Sequence, residues 1–295
     1  MEAKDLPVYQ FVEGKPLIVT DGMKKDFWKN GFIIVRNLLT NAEVIKLRSS
    51  LERPESAVMG ESYDQGDGDG RNIRLTLWNH PGNDLTGMIN RCEKVVNTCQ
   101  ELIGGEVYHY HTKIVQKEPR TGGAFQWHQD YGYWYLNGVM FPDLISVQFA
   151  IDRADVGNGC LQVLRGSHRM GRIEHGRVGD QAGADIQRVY EAEKVMEKIH
   201  VEMDPGDGLI FHCNLLHRSD QNNSDRRRWM MIACYNRADN NPTKDHHHAR
   251  YTPLETVSNK AIMECKNLDD LSGKWFINPH KANPECLPTN PGKVR

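Results

Sequence analysis

Three potential metal ligands stand out in this chain because of their types and spacing. His128 and Asp130 are separated by one residue, and His217 follows an apolar segment further along the chain. On a β-strand, residues i and i+2 point to the same side, so an imidazole and a carboxylate at these positions can reach one metal ion. A histidine from another strand would place two histidines and one carboxylate on one face of the ion, as in non-heme Fe(II) oxygenases. We therefore predict an Fe(II) site with open positions for further ligands, O₂ among them.

A fourth residue, Arg228, strengthens this prediction. A His-X-Asp pair alone is weak evidence, and a lone histidine is more often a core residue than a ligand. Arg228, however, follows His217 in a strand-like run, and a buried guanidinium can hold a carboxylate with two hydrogen bonds. It therefore suits a dicarboxylate co-substrate. Arg226 and Arg227 compete for this role, but strand alternation turns Arg227 to the opposite face and places Arg226 in the preceding turn.

Several sequence motifs surround these four residues in a fixed order. Residues 125–130 read Phe-Gln-Trp-His-Gln-Asp and precede a predicted strand at 144–151. Residues 158–168 read Asn-Gly-Cys-Leu-Gln-Val-Leu-Arg-Gly-Ser-His, and residues 204–211 read Asp-Pro-Gly-Asp-Gly-Leu-Ile-Phe. Over residues 20–240, this ordered set resembles the phytanoyl-CoA dioxygenase family of Fe(II)/2-oxoglutarate oxygenases, which includes ectoine hydroxylase.

The resemblance implies roles for residues around the predicted iron. Arg228 matches the family position that holds the distal carboxylate of 2-oxoglutarate, and Ser219 matches the position that adds a hydroxyl to it. Gln129 lies between two ligands and serves either the co-substrate or the packing behind the site. Three further polar side chains on predicted strands are candidates for contacts with the co-substrate: Lys113, Gln116 and Gln148.

An aromatic segment after the first two ligands indicates where substrate binds. Tyr131 begins it, and strand parity would place Trp134 on the same face as His128 and Asp130. Ectoine hydroxylase has a tryptophan at the same offset. We predict that Tyr131 and Trp134 line the substrate pocket, with a core aromatic role as the alternative for Trp134. Arg74, in an apolar stretch, either binds an acidic group of the substrate or pairs with a surface carboxylate.

Composition limits the possible classes of protein. The chain has 295 residues, 39% hydrophobic and 26% charged, which suits one large globular domain. A net charge of −2 gives no general attraction to nucleic acid or to an anionic membrane, and no apolar run is long enough for a membrane helix. Seven cysteines without a Cys-X-X-Cys pair indicate reduced thiols. With no signal-peptide pattern or peroxisomal address, we expect a cytoplasmic protein that acts on a small molecule; the oligomeric state is not predicted.

The pattern of secondary structure predicts a mainly β fold with flanking helices. Strand-like segments recur from residue 107 onward, which favours a double-stranded β-helix, the cupin-like jelly roll. We expect a single domain over 1–295, with a core at about 20–240 and an irregular C-terminal extension at 241–295. The Gly/Asp-rich stretch at 54–71 is predicted to be a mobile loop, and its part from 60 to 71 a lid. The three histidines at 246–248 are predicted to lie in a surface loop.

These observations predict an Fe(II)/2-oxoglutarate-dependent dioxygenase that hydroxylates a C–H bond of a small metabolite and releases succinate and CO₂. Three alternatives stay open. The first is an acyl-CoA hydroxylase of the same family, although no basic cluster accompanies the aromatic segment. The second is a cupin-type metalloenzyme that does not use 2-oxoglutarate, which leaves Arg228 and Ser219 without a role. The third is a non-catalytic binding protein, which would not need three metal ligands.

Overall fold

The computed structural model describes residues 6–178 and 181–278 and builds them around two main β-sheets. In pairing order, the larger sheet contains β1 (Val8–Gln10), β2 (Phe32–Arg36), β12 (Gly208–His212), β7 (Leu144–Ala150), β14 (Arg228–Arg237), β5 (Val107–Lys117), β4 (Asn72–Asn79) and β15 (Trp275–Phe276), and β3 (Tyr63–Gly66) also pairs with β4. The smaller sheet contains β11 (Lys198–Val201), β8 (Leu161–Leu164), β13 (His217–Ser219) and β6 (Phe125–His128). A separate hairpin pairs β9 (His175–Val178) with β10 (Gln181–Ala184).

The two faces of the larger sheet have different partners, as strand alternation requires. On β2, Phe32 and Ile34 belong to a buried cluster that includes Val163 of the smaller sheet. The intervening Ile33 and Val35 belong to a second cluster, formed with the helices. The smaller sheet therefore covers one face of the larger sheet and the helices cover the other. This confirms the predicted mainly β, jelly-roll architecture with flanking helices.

The helices begin and end where local sequence signals predict. They are α1 (Asp21–Asn30), α2 (Asn41–Glu52), α3 (Ala57–Gly60), α4 (Leu85–Arg91), α5 (Glu93–Ile103), α6 (Asp130–Trp134), α7 (Ile186–Val195) and α8 (Ala261–Glu264). Thr40 and Glu43 form a capping box on α2. Thr20 caps α1, and Gly31 ends it with a left-handed backbone. α4 and α5 are separate helices because the backbone at Cys92, between them, is extended.

Strands are present beyond residue 107, as the sequence pattern predicts, but the strand that carries His128 is shorter than the parity argument for Trp134 assumed. β6 ends at His128, and α6 begins at Asp130. The aromatic residues that follow favour strands in general, and here tertiary contacts override that preference. The amide of Tyr131, for example, donates to the carbonyl of Cys213. The strand-parity argument therefore does not extend beyond Asp130.

The stretch predicted as a mobile loop at 54–71 contains two short regular elements. It contains α3 and β3, and β3 pairs antiparallel with β4. Asp67, fully buried in the connection, accepts hydrogen bonds from the amides of Asp69, Arg71 and Ala124 and from Gln221 Nε2, at 2.8–3.1 Å. Although burial by itself would raise the pKa of Asp67, these hydrogen bonds lower it to about 2. The carboxylate thus holds the hairpin connection in one conformation.

The C-terminal segment is also more ordered than predicted in its described part. It contributes α8 and β15, and Ile262 packs in the helix-side core. These contacts support a single domain, which stays a prediction. None of the helices within residues 6–178 and 181–278 has both the length and the hydropathy that a bilayer-spanning helix needs. Six described cysteines are free thiols: Cys92, Cys99, Cys160, Cys213, Cys234 and Cys265.

The role of Asp67 can be tested by its pH dependence. Because its pKa is lower in the folded protein, its stabilisation should be complete above the ordinary pKa near 4 and disappear as the pH falls toward 2. We expect Asp67→Asn to reduce the free energy of unfolding at neutral pH by about 1–3 kcal/mol, measured by urea denaturation. The deficit should shrink in the acid range. Asp69→Asn, at an exposed neighbouring carboxylate, is the control; an equal loss there would contradict the assignment.

Candidate metal centre

Two short strands hold the two histidines of the candidate metal centre. β6 and β13 pair antiparallel, and their register sets His217 directly opposite His128, with ring centroids 4.1 Å apart. Gln129 keeps an extended backbone, so the carboxylate of Asp130 turns toward both rings. Asp130 Oδ1 lies 3.8 Å from His128 Nε2 and 4.0 Å from His217 Nε2. The three ligand atoms lie within 4.8 Å of one another, close enough to hold a metal ion.

Backbone carbonyl groups fix the tautomers of both histidines. His128 Nδ1 lies 2.7 Å from the carbonyl oxygen of Gln126, and His217 Nδ1 lies 2.8 Å from that of Leu215. Each Nδ1 therefore carries the proton and donates it to a carbonyl, which leaves Nε2 as a free lone pair facing Asp130. Burial lowers the pKa of both imidazoles. Both are thus neutral at physiological pH, the form that binds a metal.

The carboxylate of Asp130 is held ionised and oriented. Tyr133 donates a hydrogen bond to Oδ1 at 2.7 Å, and Ser146 donates one to Oδ2 at 3.1 Å. Burial by itself would raise the pKa of Asp130, but the positive charge of Lys113 and the hydrogen bond from Tyr133 hold it well below its usual range. The centre therefore presents one anionic oxygen and two neutral nitrogens, a donor set that suits Fe(II).

A pocket beside the ligands, named here the Arg228 pocket, contains a buried cation. Leu161, Phe211 and Ile232 line it together with both histidines and Arg228. Arg228 is only 2% exposed, and in the described part of the chain its Nε has no hydrogen-bond partner. Burial lowers the pKa of Arg228 to about 10, so the guanidinium stays charged at neutral pH. A buried cation without a counterion is unfavourable, so the pocket is suited to bind an anion.

Arg227 points out of the other face of β14, as strand alternation predicts. It forms ion pairs with Asp152, at 3.0 Å, and with Glu52. This arginine is therefore already neutralised by acidic partners near the surface. Arg228 is therefore suited to bind a ligand, whereas Arg227 has a structural role in ion pairs.

Lys117 is a further cation in this region that the sequence analysis missed. It pairs in register with Arg228 and is fully buried. Its Nζ donates to Ser219 Oγ at 2.7 Å, so the hydroxyl hydrogen of Ser219 stays available to another acceptor. Burial and the neighbouring Arg228 hold the pKa of Lys117 well below its usual range. Lys117 lies on the same strand face as Lys113, and this parity alone could have identified it.

The structure places some of the predicted co-substrate residues at the Arg228 pocket and others elsewhere. Ser219, Lys113 and Gln148 line it, and the only hydrogen-bond contact recorded for the Gln148 amide, within the described residues, is the sulfur of Met203 at 3.9 Å. Gln116, in contrast, lies on the opposite face of β5, where its amide reaches Ser62 at 3.5 Å. Strand alternation is the reason, because the residues flanking Gln116 on β5 face the pocket side.

Gln129 points away from the pocket and into the structure behind it. Its Nε2 donates to the carbonyls of Gly171 and Asn214, both at 2.8 Å, and its Oε1 accepts from the amide of Ile173 at 2.7 Å. These three hydrogen bonds, all to groups of the protein itself, hold the Gln129 side chain in place. Of the two roles considered for Gln129, the geometry favours packing behind the site.

The three predicted substrate residues do not line the Arg228 pocket. Trp134 is fully buried and packs its ring on Tyr110 and His111, with centroids 5.4 and 5.5 Å away. Tyr131 is buried and donates to the carbonyl of Met140 at 2.6 Å. The expectation for Trp134 assumed a strand where α6 forms. Arg74 is exposed on β4, opposite Asp64 of β3, and its pairing with a surface carboxylate stays a prediction.

The histidines at 246–248 were predicted to lie in a surface loop, and this prediction is wrong for His248. His248 is buried and stacks on His111, with ring centroids 4.7 Å apart. The side-chain amide of Asn79 donates to the backbone carbonyl of His247 and anchors the segment to β4. One ring nitrogen from each of His246, His247 and His248 also lies within 4.8 Å of the others. The C-terminal segment therefore folds back onto the aromatic cluster around Trp134.

Tyr133 and Ser146 also contact Asp130 without having been predicted. Tyr133 is three residues after Asp130, so its contact follows from helical spacing, which a predicted strand conceals. Ser146 is on β7, a strand buried on both faces, and carries no distinguishing signal in the sequence. The first could have been found from a correct helix assignment and the second could not.

Comparison with known proteins identifies relatives of this chain. The family model described as phytanoyl-CoA dioxygenase (PhyH) matches residues 27–230. The chain is 27% identical to L-proline trans-4-hydroxylase from Streptomyces griseoviridis, over 74% of this chain and 87% of that protein. It is 25% identical to ectoine dioxygenase from Stutzerimonas stutzeri, over 72% of this chain and 76% of that protein.

Solved structures show the same fold. EctD from S. alaskensis, crystallised with 2-oxoglutarate and 5-hydroxyectoine, superposes with a TM-score of 0.70 and 19% identity, covering 87% of this chain and 93% of that one. The carbocyclase SnoK from nogalamycin biosynthesis superposes with a TM-score of 0.61 and 18% identity, covering 90% of this chain and all of that one.

Two glutamines provide a matched test of the site assignment. Gln129→Leu leaves two carbonyls and one amide without their partner, and we expect it to reduce the free energy of unfolding by at least about 2 kcal/mol. Gln148→Leu removes a side chain whose recorded contact is a weak one to sulfur, so its cost should stay below about 1 kcal/mol. Urea denaturation of both variants measures the difference. A larger loss for Gln148→Leu would show that the two roles are assigned the wrong way round.

Proposed function

The chain belongs to the phytanoyl-CoA dioxygenase family, and on that premise we propose that it is an Fe(II)/2-oxoglutarate-dependent dioxygenase. The reaction is hydroxylation of a C–H bond in a small metabolite. The observation that carries the proposal is the position of Arg228, a buried guanidinium without an acidic partner among the described residues, in the same pocket as two candidate metal ligands. A metal site alone would not require this cation, whereas a dicarboxylate co-substrate does.

The residues of the candidate centre fit Fe(II). His128, Asp130 and His217 would hold the ion through two neutral nitrogens and one carboxylate oxygen. The backbone hydrogen bonds to both Nδ1 atoms orient the rings before any metal binds. Tyr133 and Ser146 orient the carboxylate in the same way. This preorganisation reduces the cost of assembling the site when the metal arrives.

The Arg228 pocket fits the far end of 2-oxoglutarate. Arg228 would donate to the distal carboxylate, and the Ser219 hydroxyl, held by Lys117, would donate to the same group. Lys113 and Gln148 line the same pocket and would donate to other oxygens of the co-substrate. The apolar side chains around them exclude water and so strengthen these electrostatic contacts.

When bound, Fe(II) with 2-oxoglutarate and O₂ supplies the oxidant for hydroxylation, and 2-oxoglutarate leaves as succinate and CO₂. The task of the protein is to place and shield the reacting groups. Lys113 keeps Asp130 ionised, and burial keeps His128 and His217 neutral. All three ligands are therefore ready to bind the metal at neutral pH.

A small metabolite is the proposed class of substrate. The relatives named as L-proline trans-4-hydroxylase and ectoine dioxygenase support it, whereas the relative named as peroxisomal phytanoyl-CoA dioxygenase, from Bos taurus, supports the acyl-CoA alternative. A cytoplasmic location belongs to the same proposal and is supported by the six free thiols. Screening amino acids and related metabolites for stimulation of succinate release distinguishes the alternatives.

The metal assignment predicts the effect of removing the carboxylate ligand. Asp130→Ala should abolish the Fe(II)-dependent conversion of 2-oxoglutarate to succinate, because the ion loses its anionic ligand. The measurement is succinate formation with and without Fe(II), with circular dichroism to verify folding. Asp69→Ala, at an exposed carboxylate, is the control and should keep full turnover. Normal turnover by Asp130→Ala would refute the assignment.

The co-substrate assignment predicts different effects at two adjacent arginines. Arg228→Met removes the charged partner of a buried carboxylate, a loss of about 2–5 kcal/mol in comparable pairs. The apparent KM for 2-oxoglutarate should therefore rise by about 30-fold or more. Arg227→Met removes a cation already paired with Asp152 and Glu52 and should change this KM little. Steady-state kinetics over a range of 2-oxoglutarate concentrations measures both, and the reverse order of effects would overturn the assignment.

A further inference from the structure

A second cavity, of about 210 Å³, shares no lining residue with the Arg228 pocket. The loop between β4 and α4 forms one wall, residues 252–255 and 272–273 form another, and His109 also lines it. His109 forms a hydrogen bond with Thr112 and packs on Tyr235, which belongs to the helix-side core. The cavity is therefore on the helix-covered face of the larger sheet, whereas the Arg228 pocket is on the other face.

Arg91 is a buried cation in this cavity with an incomplete set of partners. It is 7% exposed, and its Nε has no hydrogen-bond partner in the part of the chain that the structure describes. One Nη donates to Asn83 at 2.8 Å, and the other reaches the carboxylate of Glu255 at 3.3 Å. The Glu255 side chain is 86% exposed, and ion pairs with so exposed a partner contribute little. Arg91 can therefore accept a better anionic partner.

His109 adds a second unpaired donor to the wall of the cavity. Thr112 Oγ1 accepts from Asn90 at 2.8 Å and lies 2.6 Å from His109 Nε2. The threonine hydroxyl keeps its own hydrogen. Donation of this hydrogen to Nε2 would place the proton of the neutral ring on Nδ1. Burial holds the pKa of His109 well below its usual value, so the ring is neutral. Nδ1 has no partner among residues 6–178 and 181–278, although a buried donor normally has one.

We propose that this cavity is a second ligand site, which binds a small carboxylate independently of the metal centre. The carboxylate would accept hydrogen bonds from Arg91 Nε and His109 Nδ1, and Glu255 would turn out into water. Both unpaired donors would then be satisfied, and the buried guanidinium would gain a charge-assisted partner. The volume is below the roughly 300 Å³ of sites for drug-sized molecules, which indicates a compact metabolite.

Part of the cavity wall lies beyond the residues that the family model matches. The family model ends at residue 230, and residues 252–255 and 272–273 of the wall lie beyond it. Backbone hydrogen bonds hold that segment beside Arg91. The amide of Val257 donates to the carbonyl of Arg91 at 2.9 Å, and the amide of Glu93 donates to the carbonyl of Val257 at 3.0 Å. The wall is thus fixed relative to the buried cation, as a binding site requires.

The test uses calorimetric titration of the metal-free protein with succinate, acetate and inorganic phosphate. It is done in the Arg228→Met background, so that binding in the Arg228 pocket does not contribute and the result does not depend on the proposed function. Succinate or acetate should bind this protein, more tightly than phosphate does. Adding Arg91→Met should weaken the Kd by about 30-fold or more. Adding Glu255→Gln should tighten it by about threefold or more, because the competing carboxylate is removed.

The two variants act in opposite directions, which keeps the proposal falsifiable. If Arg91→Met does not fold, Glu255→Gln decides alone, since its side chain is exposed and its replacement should leave the fold intact. Absence of carboxylate binding in the Arg228→Met background would overturn the proposal. So would a Kd that Glu255→Gln leaves unchanged or weakens, or tighter binding of phosphate than of either carboxylate.

Discussion

The antiparallel pairing of β6 with β13 is the interaction on which the candidate centre depends. Its register sets His128 opposite His217 and brings two imidazoles to one point from distant parts of the sequence. Each strand also supplies local backbone carbonyls that fix a tautomer, those of Gln126 and Leu215. A shift of one residue in this register would turn one imidazole to the opposite face of the sheet. The metal ligands are therefore specified by sheet geometry, and Asp130 is added where the first strand ends.

Electrostatics divides the interior of the jelly roll into two complementary parts. At the metal ligands, Asp130 supplies a negative charge that Lys113 stabilises. At the Arg228 pocket, the charged Arg228 is buried next to Lys117, and burial lowers the pKa of each. The unfavourable burial of this positive charge reduces stability until an anion binds. The empty site therefore lowers the free energy of unfolding, and ligand binding raises it again. Such a loss of stability is common at functional sites.

The sequence was sufficient for the parts of the site that regular strands position. Arg228 was distinguished from Arg227 because β14 is long and alternates without interruption at these residues. The same reasoning failed at Trp134, because β6 ends at His128 and the next residues form a helix held by tertiary contacts. The Asp67 connection was missed for a similar reason: Gly and Asp residues indicate a loop, and its order depends on Gln221 and other distant partners. Local periodicity does not contain such contacts.

The most direct test of the account is an anaerobic titration of the metal-free protein with Fe(II) and 2-oxoglutarate, followed by visible absorption. Chelation of Fe(II) by a 2-oxo acid gives a charge-transfer band that neither component produces alone. We predict one such complex per chain, formed only when both components are present. The complex should need His217, so that His217→Ala, still folded by circular dichroism, gives no band. An undiminished band in that variant, or no band in the wild type with both components bound, would contradict the proposed metal centre.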